Sequence, residues 1–108
     1  NIFVVRGGEI RTPPLPTVLD GITRNTIIAL SRDAGIALHE SPIARDELYI
    51  ADEVFMTGTA AEVTPVREID RRQIGEGRRG PITKALQTAF FDVVAGKDRK
   101  YEGWLAYL

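Results

Sequence analysis

From Asp52 to Val66 the chain reads Asp-Glu-Val-Phe-Met-Thr-Gly-Thr-Ala-Ala-Glu-Val-Thr-Pro-Val, and this run limits the fold more than any other. Val54-Phe55-Met56 is a β-branched and aromatic segment suited to a buried strand. Val63 to Ile69 predicts a second extended segment. Between them Thr57 to Ala61 carries little bulk. Gly58 lets the backbone turn and lets a ligand approach closely. Thr59, Ala60 and Ala61 leave main-chain N–H groups available, and consecutive N–H groups form a concave donor site suited to an anion. The competing reading is a tight strand-to-strand turn with no ligand.

The flanking sequence predicts alternating strands and helices. Ile2-Phe3-Val4-Val5, Gly7-Gly8 and Glu9-Ile10-Arg11-Thr12 read as a β-hairpin with a two-residue turn. Pro13-Pro14-Leu15-Pro16 removes N–H donors, so 13–21 is expected as a surface loop. Residues 22–34 predict a helix, with Ile22, Ile27, Ile28, Leu30 and Ala34 near one face and Arg24, Asn25 and Arg32 elsewhere. Gly35 suits the position after its end. Ile36 to Glu40 alternates as a strand does, and a short helix runs through Tyr49. Pro65 fits an edge or a bulge. Asp70-Arg71-Arg72 turns the chain into Gln73-Ile74. Pro81 opens a helix to about Ala95, with Ile82, Leu86, Ala89, Phe90 and Val93 on one face and Gly96 closing it. The pattern is that of mixed α/β or α+β layers.

Composition narrows the function classes. The chain has 108 residues, so it is one domain at most. A net charge of −1 argues against a nucleic-acid or membrane-surface partner. No apolar run approaches the roughly 20 residues of a membrane span, and the first residues do not form a signal peptide. With no cysteine there is no disulfide and no thiolate ligand or nucleophile, which is compatible with a cytoplasmic location.

Several residues invite a functional reading. Gly21-Ile22-Thr23 sits at a predicted helix start, where unpaired N–H groups and a partial positive charge hold phosphate. Simple N-capping by Thr23 is the alternative. Gly75-Glu76-Gly77-Arg78-Arg79-Gly80 matches the dinucleotide pattern but lacks the flanking strands that pattern needs. It reads instead as a flexible loop into the Pro81 helix, near an active-site rim. His39 has no second His or Cys nearby, so no metal is expected. Asp52 and Glu53 are adjacent on a strand and point to opposite faces, which favours capping or structural roles over a shared carboxylate site. Lys84, Lys97 and Lys100 lack the apolar surroundings of a reactive lysine.

The run from Phe55 to Val66 resembles the branched-chain amino-acid aminotransferases, pyridoxal-phosphate enzymes of the fold-type IV group. Leu19-Asp20-Gly21-Ile22-Thr23-Arg24 is similar to that family's phosphate-side segment, with Asp20 where the family usually has Pro. Ala51-Asp52-Glu53, Gly75-Glu76-Gly77, Gly80-Pro81-Ile82-Thr83 and the ending around Trp104 also match. The resemblance implies a pseudo-barrel sheet with packed helices, the C-terminal part of the large domain of a two-domain subunit. It implies pyridoxal 5'-phosphate as cofactor and amino transfer between leucine, isoleucine or valine and 2-oxoglutarate. By resemblance the phosphate is held at Gly21, Ile22 and Thr23 and at Gly58 and Thr59, with Leu19 packed on the pyridine ring. Thr59 and Ala60 would also hold the substrate carboxylate, while Glu62 would structure the turn. Arg24 is expected to face solvent or a structural partner. The lysine bonded to the cofactor and the glutamate on its ring nitrogen would both precede Asn1. The chain alone is therefore expected to be inactive, with the remainder of the subunit as partner in a homodimer or hexamer. D-amino-acid aminotransferase, aminodeoxychorismate lyase and a non-catalytic phosphate-ligand or partner-binding module are the alternatives.

Overall fold

The glycine pair fixes the first hairpin. Gly7 and Gly8 both adopt positive φ, +59° and +78°, which L-residues with a side chain rarely adopt. They join β1 (Ile2–Arg6) to β2 (Glu9–Thr12) in the register Val4 to Arg11 and Arg6 to Glu9. The computed structural model describes residues 1–14, 22–58 and 63–94.

β1 also pairs antiparallel with β4 (Glu53–Thr57), Phe3 facing Phe55. β3 (Leu38–Glu40) runs parallel to β2, and β5 (Val63–Pro65) pairs antiparallel with β4. The resulting mixed sheet has five strands in the order β3-β2-β1-β4-β5. Pro65 thus lies on an edge, where a missing N–H costs no ladder bond. The expected single segment from Val63 to Ile69 is in fact broken. β6 (Glu68–Ile69) leaves the sheet and forms a separate two-stranded ribbon with β7 (Arg72–Gln73). Asp70 and Arg71 make its turn at positive φ, and neither is the glycine that signals such a turn in a sequence.

One face of the sheet carries the long helices α1 (Ile22–Asp33) and α3 (Pro81–Val94). Phe3, Val5, Ile10 and Phe55 from the sheet meet Ile27, Ile28, Leu30, Leu86, Phe90 and Val93 from the helices in one buried cluster. The Phe3 and Phe55 rings stack at 4.9 Å, a geometry worth about 1 kcal/mol beyond burial. α1 ends as Gly35 predicts. Gly35 N–H bonds to the Arg32 carbonyl and Ile36 N–H to that of Ser31, the two bonds of a Schellman cap. Ala34, expected on the apolar face, is exposed, and the strand after it begins at Leu38 rather than Ile36. The opposite sheet face buries Val4 and Val54 with Ala51 and Ile74, under the short helix α2 (Arg45–Tyr49) and the β6–β7 ribbon.

Candidate functional site: an anion cradle at one end of the sheet

The strand directions bring four chain segments to one end of the sheet. Asn1 N donates to the Thr57 carbonyl at 2.7 Å, and Thr57 N–H returns a bond to the Asn1 carbonyl at 2.8 Å. This reciprocal pair extends the β1–β4 ladder to the residue before Gly58. Across β1, the Thr12 hydroxyl donates to the Ile2 carbonyl at 2.7 Å. Thr12 is in register with Glu40 at the end of β3. The first turn of α1 is tied to the same end through Arg24, whose Nη2 donates to the Glu40 carboxylate at 2.6 Å and to the Pro13 carbonyl at 3.2 Å.

The electrostatics of this end suit an anion. α1 has twelve residues and no acidic residue in its first turn, so its N-terminal partial charge is not offset from within the helix. Thr23, the second residue of α1, is buried. Two further polar atoms here are buried without a hydrogen-bond partner among the described residues, Thr57 Oγ1 and Arg24 Nε. Buried polar atoms are seldom left unmatched. The start of α3 is different. Glu53 is only 7% exposed and accepts the N–H groups of Ile82 at 3.2 Å and Thr83 at 2.8 Å. A carboxylate from β4 already occupies that helix end, so it offers no anion site. A phosphate group fits the first end and not the second.

Of the residues expected to hold a phosphate, Ile22 and Thr23 open α1 and Gly58 directly follows the last residue of β4. Leu19, Gly21, Thr59 and Ala60, like Glu62 and Trp104, lie outside the described residues. Thr57, Arg24 and Glu40 were not singled out by sequence reasoning as site residues. Arg24 has the structural partner expected of it, but it is buried at 3% exposure rather than facing solvent. The spacing held that signal. Arg24 precedes Ile27 by three positions and Ile28 by four, which sets it on the buried face of α1 rather than away from it. Its charge is what argued for the surface.

The glycine-rich loop lies at the other end of β4. The strand from Glu53 to Thr57 has five residues and spans about 14 Å, so the loop is not at the rim of this cradle. Its glycines serve close packing. A Cβ on Gly75 would collide with the Asp52 carbonyl oxygen and one on Gly80 with the Glu53 carboxylate. A cleft of about 390 Å³ lies there, lined by Asp52, Glu53, Glu76, Arg78 and Arg79 among others. Asp52, in the bend just before β4, and Glu53, its first residue, divide their work. Asp52 accepts Gly7 N–H at 2.9 Å at the hairpin turn, while Glu53 caps α3. His39 is exposed on β3, 3.7 Å from Glu9. No group of His, Asp and Glu is placed to hold a metal ion among the described residues, nor is any helix among them long and apolar enough to cross a membrane.

Comparison with known proteins places this geometry in a family. The Amino-transferase class IV family matches residues 1–69. The chain is 57% identical over 104 residues to the branched-chain-amino-acid aminotransferase of Pseudomonas aeruginosa, covering 96% of this chain and 34% of that protein. Its fold matches the branched-chain amino acid aminotransferase of Thermobaculum terrenum in its PLP-form, with a TM-score of 0.89 and 42% identity over 95% of this chain and 34% of that one. The Escherichia coli branched-chain amino acid aminotransferase gives a TM-score of 0.88 at 50% identity, covering 96% and 34%. The chain thus spans about a third of the length of the relatives it matches. With its mixed sheet, its two long helices and its match over residues 1–69, the chain belongs to the class IV amino-transferases.

Proposed function

We propose that this chain is the C-terminal third of a pyridoxal-phosphate-dependent branched-chain aminotransferase. The complete subunit moves an amino group between leucine, isoleucine or valine and 2-oxoglutarate. The cofactor, when bound, supplies the electron sink for that chemistry. The chain's share is to hold and orient. The main-chain N–H groups of Ile22 and Thr23 and those of Gly58 and Thr59 grip the phosphate from two sides, with Gly21 beside them in the cofactor site. Leu19 packs on the pyridine ring, and Thr59 and Ala60 also hold the substrate carboxylate. The lysine that bonds the cofactor and the glutamate that faces its ring nitrogen come from the part of the subunit before Asn1. The subunits act in the cytoplasm as a homodimer or hexamer.

The observation that supports this reading is that two elements are both tied to the same end of the sheet. The first turn of α1, free of acidic residues, is tied through Arg24 to Pro13 and Glu40, and the Thr57 end of β4 is tied through Asn1 to β1 at the same sheet end. The Thermobaculum terrenum relative of the same fold, solved in its PLP-form, supports the choice of cofactor.

The complete subunit, purified with pyridoxal 5'-phosphate, is expected to transaminate all three branched-chain amino acids with 2-oxoglutarate. The 108-residue chain alone is expected to show no turnover. Turnover by the isolated chain would overturn the assignment of the bonding lysine. Preference for D-amino acids, or lyase activity without amino transfer, would overturn the substrate class.

A further inference from the structure

The arginine in the first turn of α1 sits where a cation is least expected. The helix N-terminus carries partial positive charge, and a cation placed there opposes it. Arg24 is nevertheless 3% exposed, and burying a charge is costly unless it is paired and hydrogen-bonded. Only one anion is paired with it among the described residues, the half-exposed carboxylate of Glu40. Its Nε has no partner there. A residue in this position destabilises α1 considered alone, so its contribution lies in what it connects.

It connects the two ends of one segment. Pro13 opens the stretch that leads to α1, and Arg24 stands just past its close. The Arg24 to Pro13 bond therefore bridges eleven positions of sequence at the base of that stretch. Glu40 then pins the guanidinium to the end of β3, which is itself in register with Thr12. The first turn of α1, which opens with Ile22 and Thr23, is thus held to the ends of β2 and β3 by one side chain. The guanidinium also adds fixed positive charge beside the helix start, which favours an anion of more than one charge.

We propose that Arg24, pinned by Glu40, is a positioning residue of the phosphate cradle, tying the first turn of α1 to the ends of β2 and β3 so that the N–H groups of Ile22 and Thr23 stay set for the cofactor phosphate. This rests on the function proposed above. Arg24 itself does not touch the substrate or the reacting atoms. Losing one good hydrogen bond to the phosphate lowers its affinity about tenfold or more.

The test uses the complete subunit with pyridoxal 5'-phosphate as the probe, reading the cofactor dissociation constant and the ³¹P resonance of the bound phosphate. Arg24→Met is expected to raise that constant about tenfold or more and to shift the resonance, with the KM for leucine unchanged at saturating cofactor. Arg24→Lys is expected to recover part of the loss. Leu86→Ala, in the core on α3, supplies a variant that lowers the melting temperature with the cofactor constant unchanged. Where Arg24→Met does not fold, Glu40→Gln tests the same clamp from a half-exposed position and is expected to loosen the cofactor several-fold. Wild-type affinity in a folded Arg24→Met variant, or equal or tighter binding in Glu40→Gln, overturns the proposal. A wild-type subunit that binds no pyridoxal 5'-phosphate overturns the underlying function instead.

Discussion

The Glu53 carboxylate lies within 2.8 Å of the Thr83 main-chain nitrogen and 3.2 Å of that of Ile82, so the first residue of β4 caps a helix that begins far along the chain at Pro81. Side-chain capping usually comes from the residue just before a helix. Here Gly80 holds that position and a Cβ on it would strike Glu53, so the carboxylate from the neighbouring strand takes the role. The cap is charged and nearly buried. Glu53→Ala is expected to leave the helix N–H groups unmatched and to cost about 2 to 3 kcal/mol, with Glu53→Gln costing roughly half as much. Thermal unfolding of both variants checks the order, and equal midpoints for Glu53→Ala and wild type would refute the cap.

The glycines differ in why they are needed, and substitution separates the reasons. Gly7 has positive φ with open space around it, whereas Gly75 has positive φ and the Asp52 carbonyl oxygen where a Cβ would go. Gly7→Ala therefore meets backbone strain alone, about 1 kcal/mol. Gly75→Ala adds a clash with main chain that cannot move aside, and its loss is expected to be about twice as large or more. Chemical denaturation of the pair decides it. A Gly7→Ala loss equal to that of Gly75→Ala would mean that the close approach to Asp52 carries no energy.

Much of this architecture was legible because its signals are local. The Gly7–Gly8 turn, the Gly35 cap, the Pro81 helix start and the apolar stripes of α1 and α3 each follow from a few neighbouring residues. Where the outcome depended on a distant partner the sequence was mute. Val66 N–H still bonds to the Val54 carbonyl, and the segment leaves the sheet after it because β6 pairs with β7 rather than β4. Positive φ at Asp70 and Arg71 is carried by residues that give no such sign. The Gly75–Gly80 pattern imitates a dinucleotide loop because close approach of main chain to strand needs glycine in either setting. The proposed cradle is legible only in part. Its helix start marks itself in the sequence. Arg24 stands at helical spacing from Ile27 and Ile28, yet a charge on that face declares its role only through its bonds to Pro13 and Glu40, across 11 and 16 positions.

Tyr49 offers a pH signature away from the cradle. Its hydroxyl donates to Asp70, and that hydrogen bond, reinforced by desolvation and by the Asp70 charge, raises its pKa above the usual 10.0 against the opposing pull of Arg45 and Arg72. Arg72 stacks over the ring, 4.4 Å from its centre. A raised folded-state pKa means that the folded chain holds this proton more tightly than the unfolded one. The stabilisation is complete below about pH 10 and is lost as pH climbs through the raised value. Asp70→Asn removes the leading cause, so the tyrosinate absorbance step assigned to Tyr49 by difference from Tyr49→Phe is expected to move down in pH. A step that stays in place in Asp70→Asn would show that the Asp70 contact is not made in solution.

Thr57 and Thr83 form a matched pair for separating stability from binding. Each hydroxyl is buried with no hydrogen-bond partner among the described residues, and each lies in the layer between sheet and helices. An unmatched buried hydroxyl costs free energy that a methyl group does not, so Thr→Val at either position is expected to stabilise the cofactor-free protein by about 1 kcal/mol. The two sites differ in what lies beside them. Thr83 stands at the start of α3 next to Glu53, at the end of the sheet remote from the cradle. Thr57 immediately precedes Gly58 and is paired with Asn1, so its hydroxyl is free to accept or donate to a phosphate at the cradle. Thr83→Val is therefore expected to raise the melting temperature and leave the pyridoxal 5'-phosphate dissociation constant of the complete subunit unchanged. Thr57→Val is expected to raise the melting temperature of the cofactor-free form while weakening cofactor binding about ten- to a hundredfold, the cost of one lost hydrogen bond to a charged group. Titration of both variants by bound-cofactor absorbance reads the difference. Equal affinities in the two would place the Thr57 hydroxyl outside the anion's reach, and a fall in melting temperature for both would show that each hydroxyl has a partner after all.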